Sequence, residues 1–370
     1  MSRLRQTTAV TRGFSLVELM VAMVIGLIIM GAVLTLFVSS NKQYTTTDSM
    51  ARLQENARFV VDYLTRDIRR VAFFGCQSDD PARLNLTLKA DAQFKSSATN
   101  SYVAFVDNPT PDTTSHLIYP LRGVDKEACV ASGAAGCPLS DTLTLVYIDA
   151  GKASDLQNDM TNESDSVVLN TTNHGFNRYD IAAITDCQNV DIFQITNITG
   201  GNTTLEHDTS VPSAPYDKQG NSINTLSKPY TNSPRPTRVM RIRLLQYYIK
   251  NGAGGRPALF RGDEELVDGV DAFQVTYGVA TTATPNPTRK DLIPNQFVTA
   301  DLVTDWNRVV SIRVGFLVST IADTQTGQYS SDVDTTVYSV NGVNNAGPFN
   351  DRRSRKPFES VIQIRNVTAP

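Results

Sequence analysis

The spacing of apolar residues changes twice along this chain, and each change marks a different kind of element. From Leu19 to Val38 the sequence is a nearly unbroken apolar run. Beyond it, Met50, Leu53, Ala57, Val60, Leu64, Ile68 and Val71 recur every three or four residues, the stripe of an amphipathic helix. No helix breaker separates the two, so the pattern predicts one helix from near Phe14 to about Phe74, ending near Gly75 and about 90 Å long if unbroken.

After Cys76 the period falls to two. Leu143 to Ile148 and Val190 to Ile198 have strand character, and so do Arg238 to Ile249 and the alternating Phe273, Val275, Tyr277 and Val279. The clearest alternation places Ile312, Val314, Phe316 and Val318 inward, with Ser311, Arg313 and Gly315 outward. Tracts 149–165, 199–237, 280–296 and 321–350 are polar or rich in Gly and Pro and read as loops. The expected class is α+β, a long N-terminal helix packed on a largely antiparallel sheet with long loops.

The apolar run is long enough to span a bilayer, since about 20 residues rising ~1.5 Å each cover a core of about 30 Å. Arg3, Arg5 and Arg12 precede it and hold that end in the cytoplasm. A cleaved secretory signal has a shorter apolar region, so the alternatives are an uncleaved anchor or a processed one. Glu18 separates them. A carboxylate at the edge of a membrane span costs less than the roughly 2.5–3.5 kcal/mol of a helix centre, yet it still calls for a partner.

Gly13-Phe14-Ser15-Leu16-Val17-Glu18 resembles the class III leader of type IV prepilins. The resemblance implies that a prepilin peptidase cuts between Gly13 and Phe14 and methylates the new amine of Phe14. It also implies that Glu18 aligns the subunit by pairing with a neighbour's N-terminal amine. The chain then divides into leader 1–13, membrane and assembly helix 14–40, amphipathic continuation 41–75 and an exported, β-rich head 76–370.

Within the pilins, Leu266 to Phe273, Trp306-Asn307-Arg308-Val309 and Gln363-Ile364-Arg365-Asn366 resemble the PilW minor pilins, and also the J-type minor pseudopilin of type II secretion. The partners this implies are other minor pilins, the major pilin, a tip adhesin, the prepilin peptidase and the bacterial inner membrane.

The net charge is −3, and loss of the leader arginines leaves 31 basic side chains against 37 acidic, a net of −6. General attraction to nucleic acid is therefore not expected. Two basic clusters remain as local candidates: Arg238, Arg241 and Arg243, and Arg352, Arg353, Arg355 and Lys356. Asp149, Asp155, Asp159, Glu163 and Asp165 are weak candidates for calcium without EF-hand spacing.

His116, His174 and His207 stand far apart, and no nucleophile elbow or phosphate loop accompanies them, so neither an enzyme nor a cofactor is expected. Cys76, Cys129, Cys137 and Cys187 lack zinc-ligand spacing and suit disulfides after export. Of three possible pairings, Cys129–Cys137 with Cys76–Cys187 is preferred because the first is local.

Overall fold

The computed structural model describes residues 15–71, 73, 84–86, 93–95, 102–104, 121–127, 140–209, 221–280, 293–321 and 333–366. A single helix, α1, runs from Leu16 to Ile68. In its polar middle the threonine hydroxyls turn back onto the helix, Thr45 and Thr46 donating to the carbonyl of Lys42 and Thr47 to that of Gln43 at 2.8–2.9 Å, which satisfies them without breaking the helix. Arg52 and Asp48, four apart, add an ion pair at 3.0 Å.

The helix ends at Ile68, earlier than the expected Gly75. Arg70 N–H bonds to Asp67 O, Val71 N–H to Ile68 O and Phe73 N–H to Arg70 O, so the chain leaves through tightened turns. Gly75 lies outside the described residues.

The chain divides into two compact units, 1–52 and 53–370. Within the first, the described residues are helical from Leu16 onward and largely exposed. Within the second, the rest of α1 buries Leu53, Ala57, Val60, Leu64, Asp67 and Ile68. Apart from Asp67, this is the stripe the spacing predicted.

The strands follow in order. They are β1 (Leu84–Leu86), β2 (Gln93–Lys95), β3 (Tyr102–Ala104), β4 (Leu121–Glu127), β5 (Ser140–Asp155), β6 (Val167–Val168), β7 (Ile181–Thr185), β8 (Val190–Gln194), β9 (Asn197–Thr199) and β10 (Thr204–Glu206). Then come β11 (Arg238–Asn251), β12 (Pro257–Arg261), β13 (Glu264–Asp268), β14 (Val270–Val279), β15 (Gln296–Val298), β16 (Val309–Ser319), β17 (Tyr338–Val340), β18 (Val343–Ala346) and β19 (Arg355–Gln363).

Nearly all pairings are antiparallel; β1 with β8 is parallel. The largest sheet is ordered β1-β8-β7-β11-β12-β13, with β5 also on β11 and β4 on β5. Its central strand, β11, faces β5 along most of its length and exchanges β7 for β12 on its other edge. A second sheet, β15-β14-β16-β19, is joined to the first by side chains: Val275 N–H donates to Asp141 at 2.7 Å and Phe273 N–H to Ser140 at 3.3 Å.

The expected outward face of β16 is not outward. Ser311 is buried, and the Arg313 guanidinium lies 4.2 Å from the Phe297 ring. A Cβ at Gly315 would meet that of Asn341 at 2.7 Å. Asn341 follows the β17 strand of the β17–β18 hairpin, so part of the tract read as loop 321–350 supplies this cover. Tract 149–165 likewise begins inside β5, and tract 199–237 contains β10.

The chain between β5 and β11 builds a satellite core against β7 and β8 of the largest sheet. It gathers Leu156, Met160, Leu169, Phe176, Phe193, Leu205, Leu226 and Tyr230 with neighbours, capped by the small sheet β6-β10-β9.

Candidate assembly site

At the start of α1, Ser15 and Glu18 satisfy each other. Glu18 N–H donates to Ser15 Oγ at 3.1 Å, and Ser15 N–H donates to the Glu18 carboxylate at 3.4 Å. This is the capping box that Ser and Glu three apart can form, and a carboxylate in the first turn also suits the helix dipole. The Glu18 carboxylate is thus turned back toward the chain end. Gly13 and Phe14 lie outside the described residues.

From Leu16 to Val38 the large apolar side chains are all at least half exposed, and this apolar part of the helix buries nothing within the structure. Such a surface is stable only in lipid or against other apolar helices.

At the other end of α1 the chemistry reverses. Asp67 is fully buried in the last turn, where the helix dipole disfavours an anion. It is held by Tyr247 Oη from β11 at 2.6 Å and by Arg261 Nε from β12 at 2.7 Å. Burial followed by the Asp67 charge pushes the Tyr247 hydroxyl pKa upward. Burial opposes the Arg261 charge, but the hydrogen bond and charge of Asp67 outweigh it and raise that pKa above its ordinary value.

Just past the helix, the Asn366 carboxamide donates to the carbonyls of Arg69 and Val71 at 3.2 and 2.9 Å. Those carbonyls belong to the turns by which the chain leaves the helix. Asp67 was legible in part, since it sits on the buried stripe beside Leu64 and Ile68, but its partners lie about 180 and 194 residues away.

The acidic tract does not converge. Asp149 approaches Arg243 at 3.7 Å, and Asp155 approaches Arg238 at 3.6 Å. Asp159 accepts from Asn232 N–H, and Asp165 accepts from Thr161 and Asn162. Glu163 offers its backbone carbonyl to Leu226. Among the described residues no three Asp, Glu, His or Cys side chains gather as a metal site.

The same pairs neutralise the basic strand, with Arg241 lying 2.7 Å from Asp180. In the second cluster Arg355 is buried between Asp271, Asp334 and Asp351 at 2.6–3.0 Å, and Arg353 lies 3.9 Å from Asp351. Arg352 is half-buried and Lys356 exposed. Neither run therefore forms the continuous cationic face that its sequence suggested.

His174 Nε2 contacts Asn202 O at 2.9 Å, and its Nδ1 accepts from Phe176 N–H at 3.0 Å. His207 Nε2 contacts Asp165 O at 3.0 Å. Both rings are occupied in holding the satellite core, and His116 lies outside the described residues. Cys187 is disulfide-bonded. Cys76, Cys129 and Cys137 lie outside the described residues, so neither pairing is tested by the geometry.

Two family models match the chain. Residues 10–34 match the prokaryotic N-terminal methylation motif, and residues 246–366 match the type IV pilus-assembly protein W family. The chain is thus similar to the PilW family over about a third of its length, with a match to the methylation motif ahead of it. Curated proteins provide no match to this chain. The PilW segment begins within β11 and ends at Asn366, so Tyr247, Arg261 and Asn366 all belong to it. The methylation motif brackets Ser15, Glu18 and most of the exposed apolar run.

Proposed function

We propose that this chain is a type IV minor pilin of the PilW family, and that it joins a small complex of minor pilins that primes type IV pilus assembly and caps the resulting filament. The observation that carries this reading is the exposed apolar half of α1, headed by Glu18 and matched by the methylation motif. A surface of that kind is kept by a subunit that moves from lipid into a bundle of like helices.

In this reading the prepilin peptidase cuts after Gly13 and methylates Phe14. The chain sits in the bacterial inner membrane with its head in the periplasm until assembly. Its partners are other minor pilins, the major pilin and a tip adhesin. Its role is structural rather than catalytic. Pairing of Arg238, Arg241 and Arg243 with carboxylates favours protein partners over nucleic acid.

Deletion tests the proposal. A priming subunit is needed in few copies, so its loss should cut the number of surface filaments while leaving the length and stability of those that form. Unchanged filament number and unchanged association of the remaining minor pilins would refute it.

A further inference from the structure

Three donors drawn from the matched segment converge on one end of one helix. Tyr247 Oη and Arg261 Nε reach Asp67, and Asn366 Nδ2 reaches the carbonyls of Arg69 and Val71. Each comes from a different place: β11, the end of β12, and the residues after β19.

Local rules argue against Asp67 where it stands. An anion in a last helical turn is repelled by the unpaired carbonyls there, and burial withdraws it from water. A leucine at that position would extend the stripe of Val60, Leu64 and Ile68 at no such cost. A buried ion pair is weak evidence for stability, and its best-attested use is to fix register, since an apolar contact can slide whereas a carboxylate with two donors resists sliding. One carboxylate oxygen, Oδ2, takes both donors, so two strands hold the helix end at a single point.

We propose that Asp67, Tyr247, Arg261 and Asn366 are positioning residues that clamp the C-terminal turn of α1 to the head, and that this clamp is what the PilW segment supplies to assembly. The inference rests on the assembly reading above. Extraction of a pilin acts on its helix, and the head follows as far as the joint between them is stiff. The flanking aromatic Tyr63 supports the joint, with the guanidinium of Arg66 4.5 Å and that of Arg261 5.9 Å from its ring.

The test uses the full chain. Amide hydrogen exchange is read in detergent micelles, and surface filaments are counted in cells making equal amounts of each variant. Asp67→Asn and Arg261→Met should raise exchange over residues 60–71 at least tenfold while β14 and β16 stay protected, and should cut filament number several-fold. Arg261→Lys, which keeps a cation, should recover much of both. Tyr247→Phe and Asn366→Ala remove one donor each with little change of packing, and carry the same test should the charge variants fail to accumulate.

Looser helix ends with normal filament numbers would overturn the proposal. So would filament loss with helix exchange unchanged. Filament numbers that do not respond to deletion of the whole chain would instead refute the assembly reading, and the exchange data would still report on the clamp.

Discussion

A Cβ added to Gly123 on β4 would fall 1.8 Å from the hydroxyl oxygen of Tyr277 on β14. Tyr277 is fully buried, with its ring edge-on to Trp306 at 4.8 Å between centroids. It has no free direction in which to retreat. Gly123→Ala should therefore destabilise the head by about 1–3 kcal/mol, the usual range for overpacking. Urea unfolding of the purified protein would check this, and a midpoint equal to the parent's would contradict it.

The Arg355 site sets an expected pH dependence. Burial pushes the Asp351 carboxyl up, but hydrogen bonds from Arg355 and from Arg353 N–H outweigh it and hold the pKa below the ordinary 3.8. A depressed carboxylate contributes stability that is present above its unfolded pKa and is lost as pH falls through the folded one. Asp271 moves the other way, since burial raises its pKa despite Arg355, so its contribution is lost as pH rises. Asp351→Asn should thus lower stability at pH 7 and leave less of a difference between pH 4 and pH 2 than the parent has. A variant whose acid-side slope matched the parent's would show that Asp351 does not drive it.

Processing has a direct readout. Expressed with an active prepilin peptidase, the mature chain should begin at Phe14, with the added mass of one methyl group. Intact mass measurement decides, and retention of residues 1–13 would rule the cut out.

Glu18→Ala should leave the head folded and cleavage largely intact while lowering filament number. The cap itself is worth only about 0.5–2 kcal/mol to the helix start, too little to unfold a span held by lipid. Normal filament numbers in this variant would remove Glu18 from assembly.

For the cysteines, peptide mapping without reduction should find Cys187 joined to Cys76, and Cys129 to Cys137, in exported protein. Free thiols or a different connectivity would show the local preference to be the wrong guide.

Much of this was legible because it is local. The apolar run, the stripe from Leu53 to Ile68 and the strands around Leu145, Tyr247 and Val314 follow from spacing alone. What was not legible depends on residues distant in sequence. The outward face of β16 is covered by Asn341 and Phe297, so Gly315 marks a close approach rather than a polar surface. The arginines of β11 looked like a basic patch because their carboxylates, Asp149, Asp155 and Asp180, stand on other segments. The spacing places Asp67 on the buried stripe, but only the register of β11 and β12 brings Tyr247 and Arg261 to it.

The satellite core around Tyr230 and Phe193 completes its packing within residues 156–239, before the matched segment begins at residue 246. Its histidines, its acidic turns and its apolar side chains mostly satisfy one another. Its backbone is nevertheless tied to the largest sheet, since β7 pairs with β11, the strand that carries Tyr247, and Val239 of β11 is part of this core. Side chains there can therefore change only in ways that keep the register of β11, and with it the grip on the helix.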